Sequence, residues 1–444
     1  MKTLIENAII INERKRIHGS LLIEDDRISE IIPEKTKITT SCDHIIDAKG
    51  CYLLPGVIDE HVHFREPGLT HKGTIFSESR AAAAGGVTSF FDMPNTIPQT
   101  TTIETLEEKK RIARQKSLIN YSFFFGATND NIDMLHQLDK STICGVKLFM
   151  GASTGNMLVD NQEQLLHIFQ ESPLPIMTHC EDMNILSRNT QQAILLYGND
   201  LPIKIHSLIR SKEACYRSTA LAIQLAKETH KQLHVAHISS KQELELFKPN
   251  DTLITAETCL SYLYFTEKDY DTLGARIKCN PAIKGEEDKV ALREALNNGK
   301  ISTLGTDHAP HLLSEKHGGA LQAVSGMPSI QFSLIAMLEL CQKNILTLER
   351  LVELTSHNPA KIFKIKDRGF LRPGYKADFV LVRPERSPHA VSAKDIISPC
   401  KWSPFEGHTF NWSVEQTYCN GTKVYDRALG IIEAAVCDEI LFDR

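Results

Sequence analysis

The stretch RSTALAIQLAKETHKQLHVAHI, Arg217 to Ile238, joins two patterns end to end. From Arg217 to Lys231 the apolar residues recur at helical spacing, and Gln232 to Ile238 is a short apolar, β-branched run of strand length. A helix feeding straight into a strand, repeated along a chain, produces parallel strands with helical crossovers. Seven further runs fit that alternation: Leu53 to Asp59, Gly86 to Met93, Tyr121 to Thr128, Cys144 to Met150, Leu174 to Cys180, Thr252 to Thr258 and Ile301 to Asp307. Eight strand–helix units over about 255 residues match the size of a (β/α)8 barrel of the TIM type. No GxGxxG follows any run, so a doubly wound dinucleotide-binding sheet has little support.

Outside this region the pattern is different. Leu4 to Ile11 and Gly19 to Pro33 read as short antiparallel strands, the latter turning at Asp25-Asp26. Helical segments over Leu334 to Leu340 and Leu348 to Thr355 close the barrel region, after which Gly369 to Val382 and Cys419 to Ala428 return to strand patterning. The simplest assembly is a small β-domain built from both chain termini, residues 1–52 and 366–444, beside a barrel over residues 53–365.

The 444 residues carry 50 basic and 55 acidic side chains, a net charge of −5. That balance gives no concentrated basic face for nucleic acid or a membrane surface. No apolar run approaches the ~20 residues of a membrane span, and no signal-peptide pattern follows the start, so the expected location is cytoplasmic. The 11 cysteines are scattered from Cys42 to Cys437 without a CxxC and read as reduced, mostly buried thiols. The 18 histidines are the better candidates for metal binding.

In a barrel, chemistry collects at the C-terminal ends of the strands. The first run ends in DEHVHFREPG, Asp59 to Gly68, where His61 and His63 are two apart and share a face. Such a pair is half of a divalent-metal site; the plain alternative is two imidazoles satisfied by backbone or water. Lys147 interrupts an apolar strand, either as a buried ion pair or as an amine that carbon dioxide converts to a carbamate able to bridge two metals. The remaining runs end in His179, His237 and Asp307. His234 and His237 have opposite parity, so His237 is expected inside and His234 outside. Four imidazoles, one carboxylate and one modifiable lysine suit two zinc-like ions better than calcium or magnesium. Water between two such ions becomes a nucleophile near neutral pH, and Asp307 can take its proton and later return it to a leaving nitrogen.

PGVIDEHVHFREPG, the strand lysine, the two later histidines and GTDHAPH (Gly305 to His311) together resemble the dihydroorotases of the amidohydrolase superfamily. The segment ADFVLV (Ala377 to Val382) after RPG is similar to that superfamily's C-terminal β-domain. The resemblance covers nearly the whole chain. It implies that His61 and His63 hold the more buried zinc, that carbamylated Lys147 bridges, that His179 and His237 hold the second zinc, and that Asp307 is ligand and general acid/base. It implies reversible cyclisation of N-carbamoyl-L-aspartate to L-dihydroorotate in pyrimidine synthesis, through a metal-bridging hydroxide and without a redox cofactor. Some long bacterial members carry an acid where Lys147 stands, so Lys147 points to the bridged two-metal form.

The substrate carries a carboxylate, and Arg65 lies two residues beyond His63 on the same face, suited to paired hydrogen bonds. The resemblance adds Asn95 of MPNT and His311 of DHAPH to that carboxylate site, with Asn280 of KCNPAIK and the backbone around Gly326, Met327 and Pro328 near the ring. The plain alternatives are a surface salt bridge from Arg65 to Glu66 or another acid, and turn roles for the asparagines beside Pro94 and Pro281. Gly151 to Met157 reads as a loop whose Ser153 and Thr154 touch substrate as a lid, or as an ordinary βα loop. The rivals are dihydropyrimidinase, hydantoinase and allantoinase, whose rings lack a carboxylate for Arg65, and a non-catalytic scaffold. A homodimer and association with aspartate transcarbamoylase are the partners the resemblance implies.

Overall fold

The computed structural model describes residues 1–36, 40–151 and 157–444. The N-terminal strands are β1 (Lys2–Asn12), β2 (Lys15–Glu24), β3 (Arg27–Pro33), β4 (His44–Asp47) and β5 (Tyr52–Pro55). The barrel strands are β6 (Val57–Val62), β7 (Val87–Asp92), β8 (Asn120–Gly126), β9 (Gly145–Phe149), β10 (Ile176–His179), β11 (Leu233–Val235), β12 (Ile254–Cys259) and β13 (Thr303–Gly305). They form one 8-stranded sheet in sequence order, every pairing parallel. His63 N donates to His308 O at 2.7 Å and links the first strand to the last, so the sheet curls into a nearly closed TIM-type barrel.

The opening stretch shows how this order arises. Ser211 caps the helix Lys212–Thr229 by accepting from Ala214 N, and His230 ends it in the left-handed region at φ 53°. Three residues later β11 begins, with Leu233 and Val235 in the main core.

The terminal sheet continues through β14 (Phe379–Pro384), β15 (Trp412–Cys419), β16 (Thr422–Asp426) and β17 (Gly430–Ile431). β14 pairs antiparallel with β5, joining the two ends of the chain. Ile5, Ile10, Leu53, Phe379 and Tyr418 share its core. The run Leu53 to Asp59 is thus divided: Leu53 and Leu54 belong to the terminal sheet, and the barrel starts at Val57. Gly56 marks the break because a Cβ there would sit 2.1 Å from Thr88 Oγ1. The end of the chain returns to the barrel, where Ile440 and Phe442 pack with Phe363 against Phe91, Phe124 and Met177.

Candidate metal and substrate site

One cavity of about 270 Å³ is lined by His61, His63, Arg65, Asn95, Lys147, His179, His237, Asn280, Asp307 and His311. The ten metal and substrate candidates named from sequence therefore converge on it. Ser153 and Thr154 lie outside the described residues.

His61 Nε2 and His63 Nε2 lie 3.4 and 3.0 Å from Asp307 Oδ1. The other nitrogens of these rings are engaged: His61 Nδ1 is 3.0 Å from Glu257 Oε1, and His63 Nδ1 is 2.8 Å from Asn95 Oδ1. Each ring is thus held through Nδ1 by an acceptor behind it, with its Nε2 turned toward the cavity, the orientation metal-binding imidazoles use. Across the barrel His179 Nδ1 meets His237 Nε2 at 2.8 Å, while His179 Nε2 is 3.0 Å from Glu181 Oε2. Arg210 pairs with that same carboxylate oxygen.

Electrostatics prepare these groups for a cation. Burial, then Lys147, holds His61 well below the usual imidazole range; burial, then His179, does the same for His237. Both shifts favour the uncharged ring, the form that offers a lone pair to a metal. Burial alone would raise Asp307, but His61, His63 and Lys147 outweigh it and hold the carboxylate at about 2. Burial brings Lys147 down to about 8 against the pull of Glu257 and Asp307. Its Nζ is fully enclosed and has no hydrogen-bond partner among the described residues. A buried amine without a partner is costly, so the plain ion-pair alternative has no geometric support. Histidine nitrogens, a carboxylate and this orphaned amine fit divalent ions of the zinc type.

Arg65 is 7% exposed and donates from Nε to Pro310 O at 3.2 Å. Its Nη2 faces His311 Nε2 at 2.8 Å. Among the described residues no carboxylate pairs with it; Glu66 pairs instead with Lys116 and accepts from Ile75 N. Asn280 lines the cavity, and its buried Oδ1 has no hydrogen-bond partner among the described residues. Gly326, at φ 127°, lets backbone approach the His311 ring, which a Cβ would meet at 3.0 Å.

His234 is the correction. It was expected outside the barrel, yet it is fully buried in the lumen, with Nδ1 2.7 Å from Thr255 Oγ1 and Nε2 3.9 Å from Glu60 on β6. β6 and β11 are not neighbours in the sheet, so that approach crosses the interior. Parity failed because β11 ends at Val235 and His237 follows at φ 43°, a left-handed turn that cancels the alternation.

Glu257, Glu181 and Lys72 escaped the sequence reading. Glu257 carried a usable signal, a charge inside an apolar strand like Lys147. Glu181 and Lys72 stand in polar segments where a charge is unremarkable. Cys259 Sγ, 3.0 Å from Glu257 Oε1, is a neutral thiol because burial pushes it well up.

An eight-stranded parallel barrel that gathers imidazoles, a carboxylate and a buried amine at its strand ends defines a hydrolase of the barrel class. Residues 52–424 match the amidohydrolase family model, and the chain belongs to that family. It is 33% identical to the dihydroorotase of Methanosarcina acetivorans over 91% of this chain and 88% of that one. It is 31% identical to the allantoinase of Bacillus velezensis over 95% and 93%. The L-hydantoinase of Arthrobacter aurescens superposes with a TM-score of 0.91 at 27% identity, covering 98% of each chain. These relatives support a cyclic amidohydrolase, with a different ring named for each. Among the described residues no helix is long and apolar enough to cross a membrane.

Proposed function

We propose that the protein is a dihydroorotase, interconverting N-carbamoyl-L-aspartate and L-dihydroorotate plus water. The observation that carries this reading is Arg65, a buried guanidinium that lines the cavity without a carboxylate partner among the described residues. An acidic ring supplies that partner, whereas dihydrouracil, hydantoin and allantoin do not. The comparisons support the wider class, in which allantoinase and hydantoinase relatives also stand.

His61, His63 and Asp307 would hold one zinc ion, and His179 and His237 a second. Lys147 would join them as a carbamate: its amine, lowered to about 8, adds to carbon dioxide and releases one proton, leaving a carboxylate. When bound, the ions supply an acidified water and polarise the amide carbonyl. Arg65 and His311 anchor the substrate carboxylate, Asn95 orients His63, and Asn280 offers its amide toward the ring. This fixes the scissile amide over Asp307. Asp307 Oδ1 faces both histidines, and the carboxylate accepts the proton of the attacking water and gives it to the departing ring nitrogen. Ring closure runs the same transfers in reverse. A homodimer and association with aspartate transcarbamoylase belong to this reading through resemblance alone.

The test is ring opening of L-dihydroorotate by the zinc-supplemented protein beside dihydrouracil, hydantoin and allantoin. Turnover of dihydroorotate alone is expected. Turnover of an uncharged ring instead overturns the substrate assignment and keeps the class.

A further inference from the structure

Asp307, Ala309 and His311 line the cavity, while His308 in the same loop turns away from it, toward Glu78 on the helix Ile75–Ala84. His308 Nδ1 accepts from the backbone N–H groups of Ser329 and Ile330 at 3.1 and 3.3 Å, where the helix Ile330–Gln342 begins. An imidazole that accepts at one nitrogen carries its proton on the other. Nε2 therefore donates to Glu78 Oε2, at 2.9 Å. Both side chains are buried. The backbone of His308 is tied as well: its N donates to Thr306 Oγ1 at 3.1 Å, and its O accepts from His63 N at 2.7 Å.

The residue next to this anchor is strained. Asp307 has φ 47°, a left-handed conformation that is costly for a residue with a Cβ and persists where the surroundings impose it. In that conformation Oδ1 faces Nε2 of His61 and of His63. The far end of the anchor is fixed too. Ser77 Oγ donates to Glu78 Oε1 at 2.8 Å, and Gly73 comes so near that a Cβ there would meet the same oxygen at 2.9 Å.

We propose that Glu78 is a positioning residue for proton transfer: through His308 it clamps Asp307 in the left-handed conformation that holds its carboxylate over the cavity. The proposal rests on the acid/base role given to Asp307 above and not on which ring is the substrate. Without the Glu78 carboxylate the buried Nε2–H loses its acceptor and the ring turns to find another. Asp307 then relaxes to a negative φ, which carries its oxygens away from His61 and His63. Glu78→Gln keeps an acceptor oxygen for His308, and its amide can donate to Ser77 Oγ.

The test compares variants of the full-length protein at saturating zinc, with L-dihydroorotate or whichever of the four rings the wild type opens. Glu78→Ala should lower kcat about tenfold while KM changes less than about threefold, the pattern of a group that serves the reaction step rather than binding. Glu78→Gln should restore most of the lost rate. His308→Asn, too short to reach Glu78, should match Glu78→Ala, and the double variant should be no worse than either. A crystal structure of Glu78→Ala should show Asp307 at negative φ. Where Glu78→Ala does not fold, His308→Asn carries the same expectations.

An Asp307 that stays left-handed in the variant overturns the proposal, whatever the rate. So does equal damage in Glu78→Gln, which would make the charge decisive and not the held acceptor. Losses that multiply in the double variant would show that the two residues act separately, and overturn it as well. An Asp307 that swings away with kcat unmoved overturns the catalytic role, and places the fault in the acid/base reading of Asp307 rather than in the clamp.

Discussion

Glu257, on the seventh barrel strand, holds both carboxylate oxygens within hydrogen-bond distance of His61 Nδ1 across the barrel lumen, at 3.0 and 3.1 Å. The contact fixes the ring orientation and sends Nε2 toward Asp307. Carboxylates placed behind metal-binding histidines contribute roughly 10- to 100-fold to metal affinity. Glu257→Gln should therefore weaken zinc binding by about that factor, read by competition with a chromogenic chelator. Activity should recover with excess zinc. An unchanged affinity would remove the orienting role.

Lys147→Ala should lower bound metal and activity together, measured by elemental analysis of dialysed protein and by turnover. Short carboxylic acids should restore part of the activity, since they replace the missing carbamate. Two metals retained at full activity would end the carbamate assignment.

Arg65→Met should leave metal content unchanged and lower kcat/KM for dihydroorotate by about 100-fold, the order expected when a buried charged pair is lost. Loss of metal in this variant would instead place Arg65 among the groups that build the metal site.

The stability of the cavity wall depends on a second buried pair. Lys109 Nζ lies 2.6 Å from Asp92 Oδ2 and donates to Met93 O at 2.7 Å, and both side chains are fully enclosed. Asp92 Oδ1 also accepts from Phe64 N at 2.8 Å, in the loop between His63 and Arg65. Lys109→Met leaves a buried carboxylate unpaired, at a cost of about 3–5 kcal/mol. A clear fall in melting temperature is expected, partly reversed in the double variant with Asp92→Asn. No fall would show that Asp92 is satisfied by its backbone contact alone.

Burial raises the Glu181 carboxyl, but Arg210 and His179 outweigh it and hold the group at about 2, below its ordinary 4.5. In acid the unfolded chain takes up this proton before the folded one does. The contribution to stability is complete above about pH 4.5 and is lost as pH falls toward 2. Glu181→Gln should start less stable at pH 6 and decline less steeply between pH 5 and 3 in metal-free protein, as followed by denaturant midpoints. Parallel declines for the two proteins would contradict this.

The barrel and most of the site were legible because strands and helices announce themselves by local period, and because barrel strands deliver side chains to one end. His61, His63, Lys147 and Asp307 could be picked out from residue type and place in a run. Lys72 could not, since its meaning depends on His311, which lies far away in sequence and next to it in space. The boundary at Gly56 was equally hidden, because Leu53 to Asp59 is one apolar run whose two halves join different sheets.

The sequence by itself determined the alternation of strands and helices, the residue types at the strand ends and the balance of charge, all of which follow from local spacing and composition. Only the tertiary structure decided which way His234 faces, which nitrogen of each histidine is engaged, and which charges lose their partners. Those depend on a left-handed residue at His237 and on contacts across the barrel lumen between strands that never pair. Burial then sets the protonation states, because removing water from Lys147 and Asp307 leaves their charges to be governed by the few groups within reach.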